Sequence, residues 1–509
     1  MDGIVFKSFI PEIFLSVSIL LQLVFNARLI NNINFNFPLI DKEILGQFFF
    51  ILCCLFFLLL NLKIQGFSPN YLFLNDEGGR VVKLLLLVFC LLSLVIISNG
   101  FVLQNLNFFE FFNIFLLSIL SLLLLINSYD LISTYLIIEM QALCFYVLSS
   151  FRRNSSFSTE AGLKYFVSGS FISGFFLFGC SLIYGALGTL NLNNIELLLA
   201  FDLKESSSFL YFFVLIGILF ITITLLFKIS AAPFHFWSPD VYEGSPLSAT
   251  IIFSIIPKLA LFTFFVKWLS SISILFLDIK FVLISIGIFS VFLGTFFAIR
   301  QKRLKRLVIY SSIAQVGFLV AILGVQTIDG YASLYFFLII YMISSVLIWS
   351  NITLFYDSQN LFNIFYKKAA LPLFLSGLSN LFKTNKMWAF SFVLIFFSIA
   401  GVPPLSGFLS KIFILFGLIQ SHEIIGSLFL ILISAVSVYY YLRVIKIIYF
   451  ESKDVRSQNN QFQTVFQVYN LDTICFIIAF CLFCLVFFFF HPTNLILCCQ
   501  HIVLNLFSF

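Results

Sequence analysis

Long apolar segments follow one another along almost the whole chain, and they restrict its fold more than any other feature of its 509 residues. Only 10% of the residues are charged and the mean hydropathy is +1.11, whereas about a quarter of the residues of a soluble domain are charged. A membrane-spanning helix needs about 20 mostly apolar residues, and a strand of a membrane β-barrel needs about ten residues of alternating polarity. The pattern therefore predicts an all-α polytopic membrane protein with about 14 transmembrane helices. The apolar runs lie at residues 9–27, 44–62, 84–99, 107–127, 130–150, 161–188, 209–239, 247–269, 276–299, 304–324, 331–356, 387–419, 424–450 and 471–491.

The distribution of basic residues predicts how these helices are oriented. Lys and Arg residues tend to stay on the side of the membrane from which the helices are inserted. Of the 28 Lys and Arg residues, 17 fall in loops that follow odd-numbered runs, and seven fall in the even-numbered loops and the N-terminal segment. This asymmetry predicts that the odd loops lie inside and that both termini lie outside.

Four lysines fall within the apolar runs instead of the loops: Lys164, Lys228, Lys258 and Lys411. Glu139 is the matching acid, and it lies about nine residues into its run, which is about 13 Å into a hydrocarbon core about 30 Å thick. A charge there costs at least about 2.5–3.5 kcal/mol on insertion scales. This cost indicates that the buried charges have a function. The alternative for each residue is a structural ion pair that holds helices together. Lys164 is close enough to a loop to extend its ammonium group to the interface instead.

Two of the apolar runs are interrupted by proline. Pro233 follows Lys228, and Pro403 and Pro404 precede Lys411. Proline removes a backbone donor and leaves carbonyls unpaired, and such backbone is tolerated in a membrane only where it lines protein or a wet cavity. Breaks at corresponding places in two halves are typical of inverted repeats with ion sites at the breaks. They predict two inverted five-helix repeats, spans 4 to 8 and 9 to 13, with a packing kink as the alternative for either break alone.

Buried lysines next to an acid can hold and release protons. The affinity of an ammonium group for its proton falls on desolvation and rises beside a carboxylate. A change in the distance between Lys228 and Glu139 would therefore switch the lysine between holding and releasing a proton. A chain of lysines bridged by water would relay protons across the membrane without a redox centre. This hypothesis predicts that Lys228→Ala or Glu139→Ala leaves the fold intact and abolishes proton movement.

Six segments carry a resemblance to a known family, in the family's order, over roughly residues 110–450. They are "LIIEMQALCFYVLSSF", "FSTEAGLKYFVSGSFISGFFLFGCSLIYG", "FKISAAPFHFWSPDVYEGSPLSATIIFSIIPKLALF", "KRLVIYSSIAQVGFL", "AGVPPLSGFLSKIF" and "YYYLRVIKIIYF". The chain resembles the second-chain family of antiporter-like subunits in proton-pumping NADH:ubiquinone oxidoreductase, respiratory complex I. The wider relatives of that family include cation/proton antiporters that share the broken helices and inverted repeats.

The resemblance implies a place in a proton path for each buried charge. Glu139 matches the fifth-helix glutamate that pairs with the lysine of the broken seventh helix, here Lys228. Lys258 matches the eighth-helix lysine that links the two half-paths. Lys411 matches the terminal lysine of the broken twelfth helix, and Lys164 matches a lysine of the sixth helix.

The chain departs from the family near the centre of this path. Gln315 stands where the family usually has histidine, and Phe318 stands where it has tyrosine. Glutamine can hydrogen-bond to water but cannot titrate, so a protonatable group is not expected at this position. His235, on the first broken helix, is interpreted as a hydrogen-bonding anchor, with membership of the proton path as the alternative.

The remaining polar features give weaker predictions. Asp240, Tyr242 and Glu243 follow the first break and predict a surface turn used for contact or capping. Cys481 and Cys484 form a CxxC pair, but with no second pair and no histidine at ligand spacing a zinc or iron–sulfur site is not predicted. No glycine-rich phosphate loop follows a strand, so nicotinamide or flavin binding is not predicted.

The resemblance also implies where the chain works and with what. The chain would hold no redox cofactor, and NADH, FMN, iron–sulfur clusters and ubiquinone would be bound by other subunits. Its partners would be antiporter-like and small hydrophobic membrane subunits and lipids, with no nucleic acid. Phenylalanine supplies 74 residues, as expected of an A+T-rich genome. Together these points predict an organelle-encoded protein of the mitochondrial inner membrane with its termini on the intermembrane-space side. A bacterial plasma membrane is the alternative.

The predicted organisation has four segments. Helices 1–3 occupy residues 1–107, the first repeat occupies 108–272, the second repeat occupies 273–450, and a loop and helix 14 occupy 451–509. A stand-alone secondary cation/proton antiporter of related fold is the alternative function. A purely structural membrane scaffold is the third, and the buried charges argue against it.

Overall fold

Helices make up almost all of the chain in the computed structural model, as the apolar runs predict. The structure describes residues 8–32, 42–62, 66–68, 71–104, 109–202, 208–273, 276–365, 374–379, 381–451 and 472–506. The first eleven helices are α1 (Ile10–Asn32), α2 (Lys42–Asn61), α3 (Glu77–Gln104), α4 (Phe109–Asn127), α5 (Leu131–Ser149), α6 (Ser156–Leu187), α7 (Leu192–Asp202), α8 (Ser208–Lys228), α9 (Trp237–Gly244), α10 (Leu247–Ser271) and α11 (Phe276–Arg300). The others are α12 (Leu304–Leu323), α13 (Ile328–Phe365), α14 (Leu381–Thr384), α15 (Lys386–Ala400), α16 (Ser406–Gln420), α17 (Ile424–Tyr449), α18 (Asp472–Phe490) and α19 (Thr493–Leu506), with a 3₁₀ turn at Leu375–Leu378.

Two very short strands are also present. Strand β1 (Gly66–Phe67) pairs antiparallel with β2 (Leu74–Asn75), so that Gly66 lies opposite Asn75. This hairpin leads directly into α3. It fixes the position of the acidic residue Asp76, which lies between β2 and α3 and is 4% exposed.

Eleven of the described helices are long and apolar enough to cross a membrane. Shorter apolar helices are found near both ends of the chain and on either side of the second proline break. Peripheral helices expose large apolar side chains, among them Phe157 on α6 and Ile425 on α17, each 73% exposed. These are the side chains that a bilayer would cover, and the chain is therefore a polytopic helical membrane protein.

Two helices form the centre of the molecule. Every residue of α10 except Ser270 is buried. Residues 330–355 of α13 are likewise buried, and the two helices pack against each other. The centre therefore has no lipid-facing surface, and Lys258, on α10, is surrounded by protein.

Both predicted breaks are present, and each divides an apolar run into two helices. The run 209–239 is not continuous, because α8 ends at Lys228 and α9 begins at Trp237. The run 387–419 is divided into α15 and α16. The backbone explains the second break: Gly401 has φ of 84°, a left-handed conformation that ends a helix, and two prolines without backbone N–H groups follow it.

The hydropathy pattern was wrong at several other places. Helices α7 and α19 were not predicted, because both are short and rich in Asn. Lys83 and Lys267 were counted as loop residues, but they lie in α3 and α10 and are 3% and 4% exposed. Several basic residues in the orientation count lie outside the described residues: Lys7, Lys63, Lys204, Lys367, Lys368, Lys453 and Arg456. Most of the predicted C-terminal loop, residues 452–471, also lies outside them.

Candidate functional site

The first broken helix places Lys228 at its end. Lys228 is the last residue of α8, and the chain then runs through Pro233 without regular helix until α9 begins. Its Nζ is buried, and so is Oε1 of Glu139 on α5, and neither atom has a hydrogen-bond partner in the described structure. The resemblance implies a Lys228–Glu139 pair; the structure shows no direct hydrogen bond or salt bridge between the two groups, although they are near enough to interact electrostatically.

Lys228 and Lys258 line the same small cavity. The cavity has a volume of about 20 Å³, and its wall includes Gln141, Tyr165 and Tyr242. A cavity of this size can hold a water molecule, provided that two to four polar groups surround the water. The wall offers such groups, so water can bridge the two lysines here.

Lys258 connects the first half of the protein to the second. It follows Pro257 in the middle of α10 and is 2% exposed. Its Nζ donates a hydrogen bond to the hydroxyl of Tyr341 on α13, and lies 4.4 Å from the centre of the Tyr341 ring. Tyr341 was not among the predicted site residues. Its partner is 83 residues away in sequence, so no local spacing could reveal the pair.

A second cavity lies beyond Tyr341. It also has a volume of about 20 Å³, and most of its polar wall comes from α12 and α13. Tyr242 lines this cavity as well as the first one, and therefore lies between them. The polar residues of the second cavity are Tyr242, Ser254, Ser311, Ser312, Gln315, Tyr341, Ser344 and Ser345.

Lys411 does not line the second cavity itself, but it contacts Ile399, which lines the cavity near the end of α15. The last carbonyls of a helix have no partner within the helix. Lys411 Nζ donates to two of them, Ile399 O and Ala400 O, each at 2.8 Å. Gln315 Nε2 donates to the same Ile399 carbonyl at 3.3 Å. The structure therefore brings the glutamine that replaces histidine directly to Lys411.

Lys164 lies at the surface of the protein, unlike the three buried lysines. Its side chain is 47% exposed, and Nζ forms salt bridges with Glu160 at 2.8 Å and Asp240 at 3.1 Å. It lines neither cavity. Its ammonium group lies at an exposed edge, as expected of a lysine that reaches the interface.

Residues 240–243 do not form a surface turn. They belong to helix α9, in which Tyr242 is 5% exposed. Glu243 forms salt bridges with Arg303 and Arg306, and Arg306 also binds Asp240 at 3.0 Å. The acids thus hold α9 against α12, because both arginines lie at the start of that helix.

His235 is buried in the first break. It is 3% exposed, and its Nδ1 has no hydrogen-bond partner among the described residues. It lines neither of the two cavities. The structure therefore gives it no contact with the lysines.

A second group of buried charges was missed. Lys83 forms a salt bridge with Glu12, and Asn127 donates to the same carboxylate at 3.3 Å. Lys267 lies 3.5 Å from Asp76 and donates to a backbone carbonyl of α4 at 2.8 Å. The lysines were assigned to loops because they lie at the edges of the predicted runs 84–99 and 247–269, and their acids, 71 and 191 residues away in sequence, gave no local signal. Within the described residues, no group of three or more His, Cys, Asp or Glu side chains is placed to hold a metal ion.

The fold is found in other membrane complexes. A chain of the Mrp complex from Dietzia sp. DQ12-45-1b has a TM-score of 0.78 and 16% identity, covering 99% of this chain and 98% of that chain. A chain of respiratory complex I from Thermus thermophilus has a TM-score of 0.69 and 23% identity, covering 93% and 97%. Together with the line of buried lysines, this likeness defines the class: a polytopic helical protein with the antiporter-like fold.

Sequence comparison then gives the family. The model of the family described as "NADH:quinone oxidoreductase/Mrp antiporter, TM" matches residues 128–437. NADH-ubiquinone oxidoreductase chain 2 of Marchantia polymorpha is 33% identical over 458 residues, which are 88% of this chain and 89% of the relative. NADH-quinone oxidoreductase subunit N of Rhodospirillum rubrum is 35% identical over 381 residues, 75% of each chain. The chain belongs to the chain 2 and subunit N family of NADH:quinone oxidoreductase, which confirms the resemblance.

Proposed function

We propose that the chain is the proton-translocating membrane subunit of NADH:quinone oxidoreductase, respiratory complex I. The observation that carries the proposal is the line of three buried lysines, Lys228, Lys258 and Lys411. Two water-sized cavities and the Lys258–Tyr341 contact lie between them. Ionisable residues within membrane spans are costly, and they commonly mark ion or proton pathways.

The proton path begins with Glu139 and Lys228. Neither of their buried atoms Oε1 and Nζ has a hydrogen-bond partner, so a small movement of α5 or of the first break changes their distance without breaking a hydrogen bond. Approach of the carboxylate favours the charged lysine, and its withdrawal favours proton release to the shared cavity. Lys258 receives the proton there, and Lys411 is the end of the path. Lys164, at its exposed edge, holds the carboxylates of Glu160 and Asp240 at the entry.

The assembly follows from the same proposal. Electron transfer takes place in other subunits, which bind NADH, FMN, iron–sulfur clusters and ubiquinone, and this chain binds none of them. Its neighbours are antiporter-like and small hydrophobic subunits and lipids. We place the chain in the mitochondrial inner membrane, organelle-encoded, with 14 spanning helices and both termini in the intermembrane space.

We also propose the predicted division of the chain. Residues 1–107 form an N-terminal unit, 108–272 and 273–450 form two inverted five-helix repeats, and 451–509 add the last spanning helix. The presence of one proline break in each proposed repeat supports this division.

Native electrophoresis tests the assembly. Mildly solubilised membranes are separated, stained in the gel for NADH oxidation, and the stained band is analysed by mass spectrometry. The chain should migrate with the NADH-oxidising complex. Migration alone or with antiporter proteins, without NADH oxidation, would contradict the proposal.

The second candidate is a stand-alone cation/proton antiporter. It is favoured by the TM-score of 0.78 to a chain of an Mrp complex and by the inclusion of Mrp antiporters in the family. An antiporter would move protons against Na⁺ in vesicles that contain no NADH and no quinone. Na⁺-driven proton movement under those conditions would favour this candidate.

A further inference from the structure

Tyr341 lies between Lys258 and the second cavity. Its hydroxyl oxygen accepts a hydrogen bond from Lys258 Nζ, and its side chain lines the cavity wall. An ammonium group has only donors, so the hydroxyl hydrogen of Tyr341 must point elsewhere. The side chain of Ser312 is within hydrogen-bonding reach of this hydroxyl. The hydroxyl hydrogen can therefore point toward Ser312 and the second cavity.

Four serines make this cavity a site that accepts hydrogen bonds. Ser311, Ser312, Ser344 and Ser345 each donate their hydroxyl hydrogen to a carbonyl three residues earlier in their own helix, at 2.7–2.9 Å. A hydroxyl has one hydrogen and two acceptor lone pairs. With the hydrogens already used, the wall offers lone pairs, and a water molecule in the cavity is held by its hydrogens.

We propose that the hydroxyl of Tyr341 is a proton relay from Lys258 into the second cavity; this inference rests on the proposed function. The Lys258 ammonium group gives a proton to the hydroxyl oxygen while the hydroxyl's own hydrogen moves to a water molecule in the cavity. The N–H bond of Lys258 and the old O–H bond of Tyr341 break as new O–H bonds form on Tyr341 and on the water, so tyrosine stays neutral, Lys258 becomes an amine and the water becomes hydronium. The amine then accepts a hydrogen bond from the same hydroxyl, which turns back toward it.

The relay explains how protons can cross the second half of the protein although a glutamine, which cannot titrate, lies at its centre. Gln315 cannot take up or release a proton, and its Nε2 is occupied by the Ile399 carbonyl. The hydroxyl of Tyr341 and the water beside the serines carry the proton past it. The hydronium gives the proton to Lys411 in its amine form, whose Nζ lies on the same carbonyl of α15 and becomes an ammonium group.

Tyr341→Phe tests the relay, because it removes the hydroxyl and keeps the ring near the Lys258 ammonium group. The purified respiratory complex that contains the chain is reconstituted into liposomes, and the protons translocated per NADH oxidised are measured. Tyr335→Phe is the matched control: Tyr335 lies on the same helix, is 1% exposed, and its hydroxyl has no hydrogen-bond partner among the described residues. Lys258→Met is the reference for loss of the path.

We expect Tyr341→Phe to lose as many protons per NADH as Lys258→Met, and Tyr335→Phe to keep the wild-type ratio. A wild-type ratio in Tyr341→Phe with a reduced ratio in Lys258→Met would overturn the relay alone. A wild-type ratio in both would overturn the relay together with the lysine path of the proposed function. A merely structural role would lower the amount of assembled complex and leave the ratio unchanged, and this result too overturns the relay.

A second variant covers the case in which Tyr341→Phe does not assemble. The double substitution Ser312→Ala and Ser344→Ala removes two acceptors from the cavity and leaves the Lys258–Tyr341 contact in place. The relay predicts a reduced ratio in this variant, and a wild-type ratio would contradict it.

Discussion

The two helix breaks hold their lysines in different ways. Lys228 comes before its proline and ends α8, and its Nζ has no hydrogen-bond partner in the described structure. Lys411 comes after its prolines, on α16, and its Nζ binds two carbonyls at the end of α15. The end of a helix carries unpaired carbonyls and a partial negative charge, which a lysine on the next helix can reach. A lysine that follows the prolines, as Lys411 does, is therefore anchored by the helix end. A lysine that precedes the proline, as Lys228 does, is left able to change partners.

The largest expected difference concerns proton movement. Lys228→Met should reduce proton translocation about a hundredfold, the usual effect of removing a proton-transfer group. It should not lower the free energy of unfolding, because it removes a buried charge and no hydrogen bond. Proteoliposome pumping and thermal unfolding in detergent measure the two effects. Loss of stability without loss of pumping would show that Lys228 is structural.

The anchored lysine should behave differently in the same two measurements. Lys411→Met leaves the Ala400 carbonyl without its partner and removes one of two donors from the Ile399 carbonyl. We expect the free energy of unfolding to fall by about 2 kcal/mol, since an unsatisfied buried group costs about 1–3 kcal/mol. Equal melting temperatures for Lys228→Met and Lys411→Met would contradict the contrast between the breaks.

Each break contains a residue with positive φ, and substitutions of these two residues should affect the free energy of unfolding differently. Gly401 has φ of 84° and Ser230 has φ of 60°. Gly401→Ala should lower the free energy of unfolding by about 1–2 kcal/mol, because an L-residue is strained there. The added Cβ would also lie 3.1 Å from Cδ of Lys411. Ser230→Gly should raise the free energy of unfolding or leave it unchanged. Denaturant titration measures both, and a loss of stability in Ser230→Gly would contradict this reading.

The smallest effect is expected at the exposed edge of the path. Lys164→Met should slow translocation only several-fold, because its ammonium group only holds the carboxylates of Glu160 and Asp240 at an exposed edge, where water also reaches the entry. Since its side chain is 47% exposed, added salt should screen that charge and reduce the difference from wild type. Initial pumping rates at low and high salt measure this effect. A salt-independent loss as large as that of Lys228→Met would place Lys164 within the buried path.

The sequence predicted the parts of this site that depend on single residues. A lysine in an apolar run or a proline in a helix is visible by itself, so Lys258, Lys411 and both breaks could be predicted. Tyr341 could not, because an aromatic residue in an apolar helix is ordinary and its contact is 83 residues away. Lys267 was placed in a loop because it lies near the end of its apolar run, and its acid gave no local signal that the lysine is buried. Hydropathy records the cost of a charge but not the distant carboxylate that offsets it.

The burial of α10 has a consequence for how the protein is made. An isolated helix with Lys258 and Lys267 in its span would meet the insertion cost of both charges, about 5–7 kcal/mol on insertion scales. The acid beside Lys267 is synthesised 191 residues earlier, so it can already be in the membrane when α10 emerges from the ribosome. The hydroxyl beside Lys258 is synthesised 83 residues later. One lysine can thus find its partner during insertion, while the other must wait until the second half of the chain arrives.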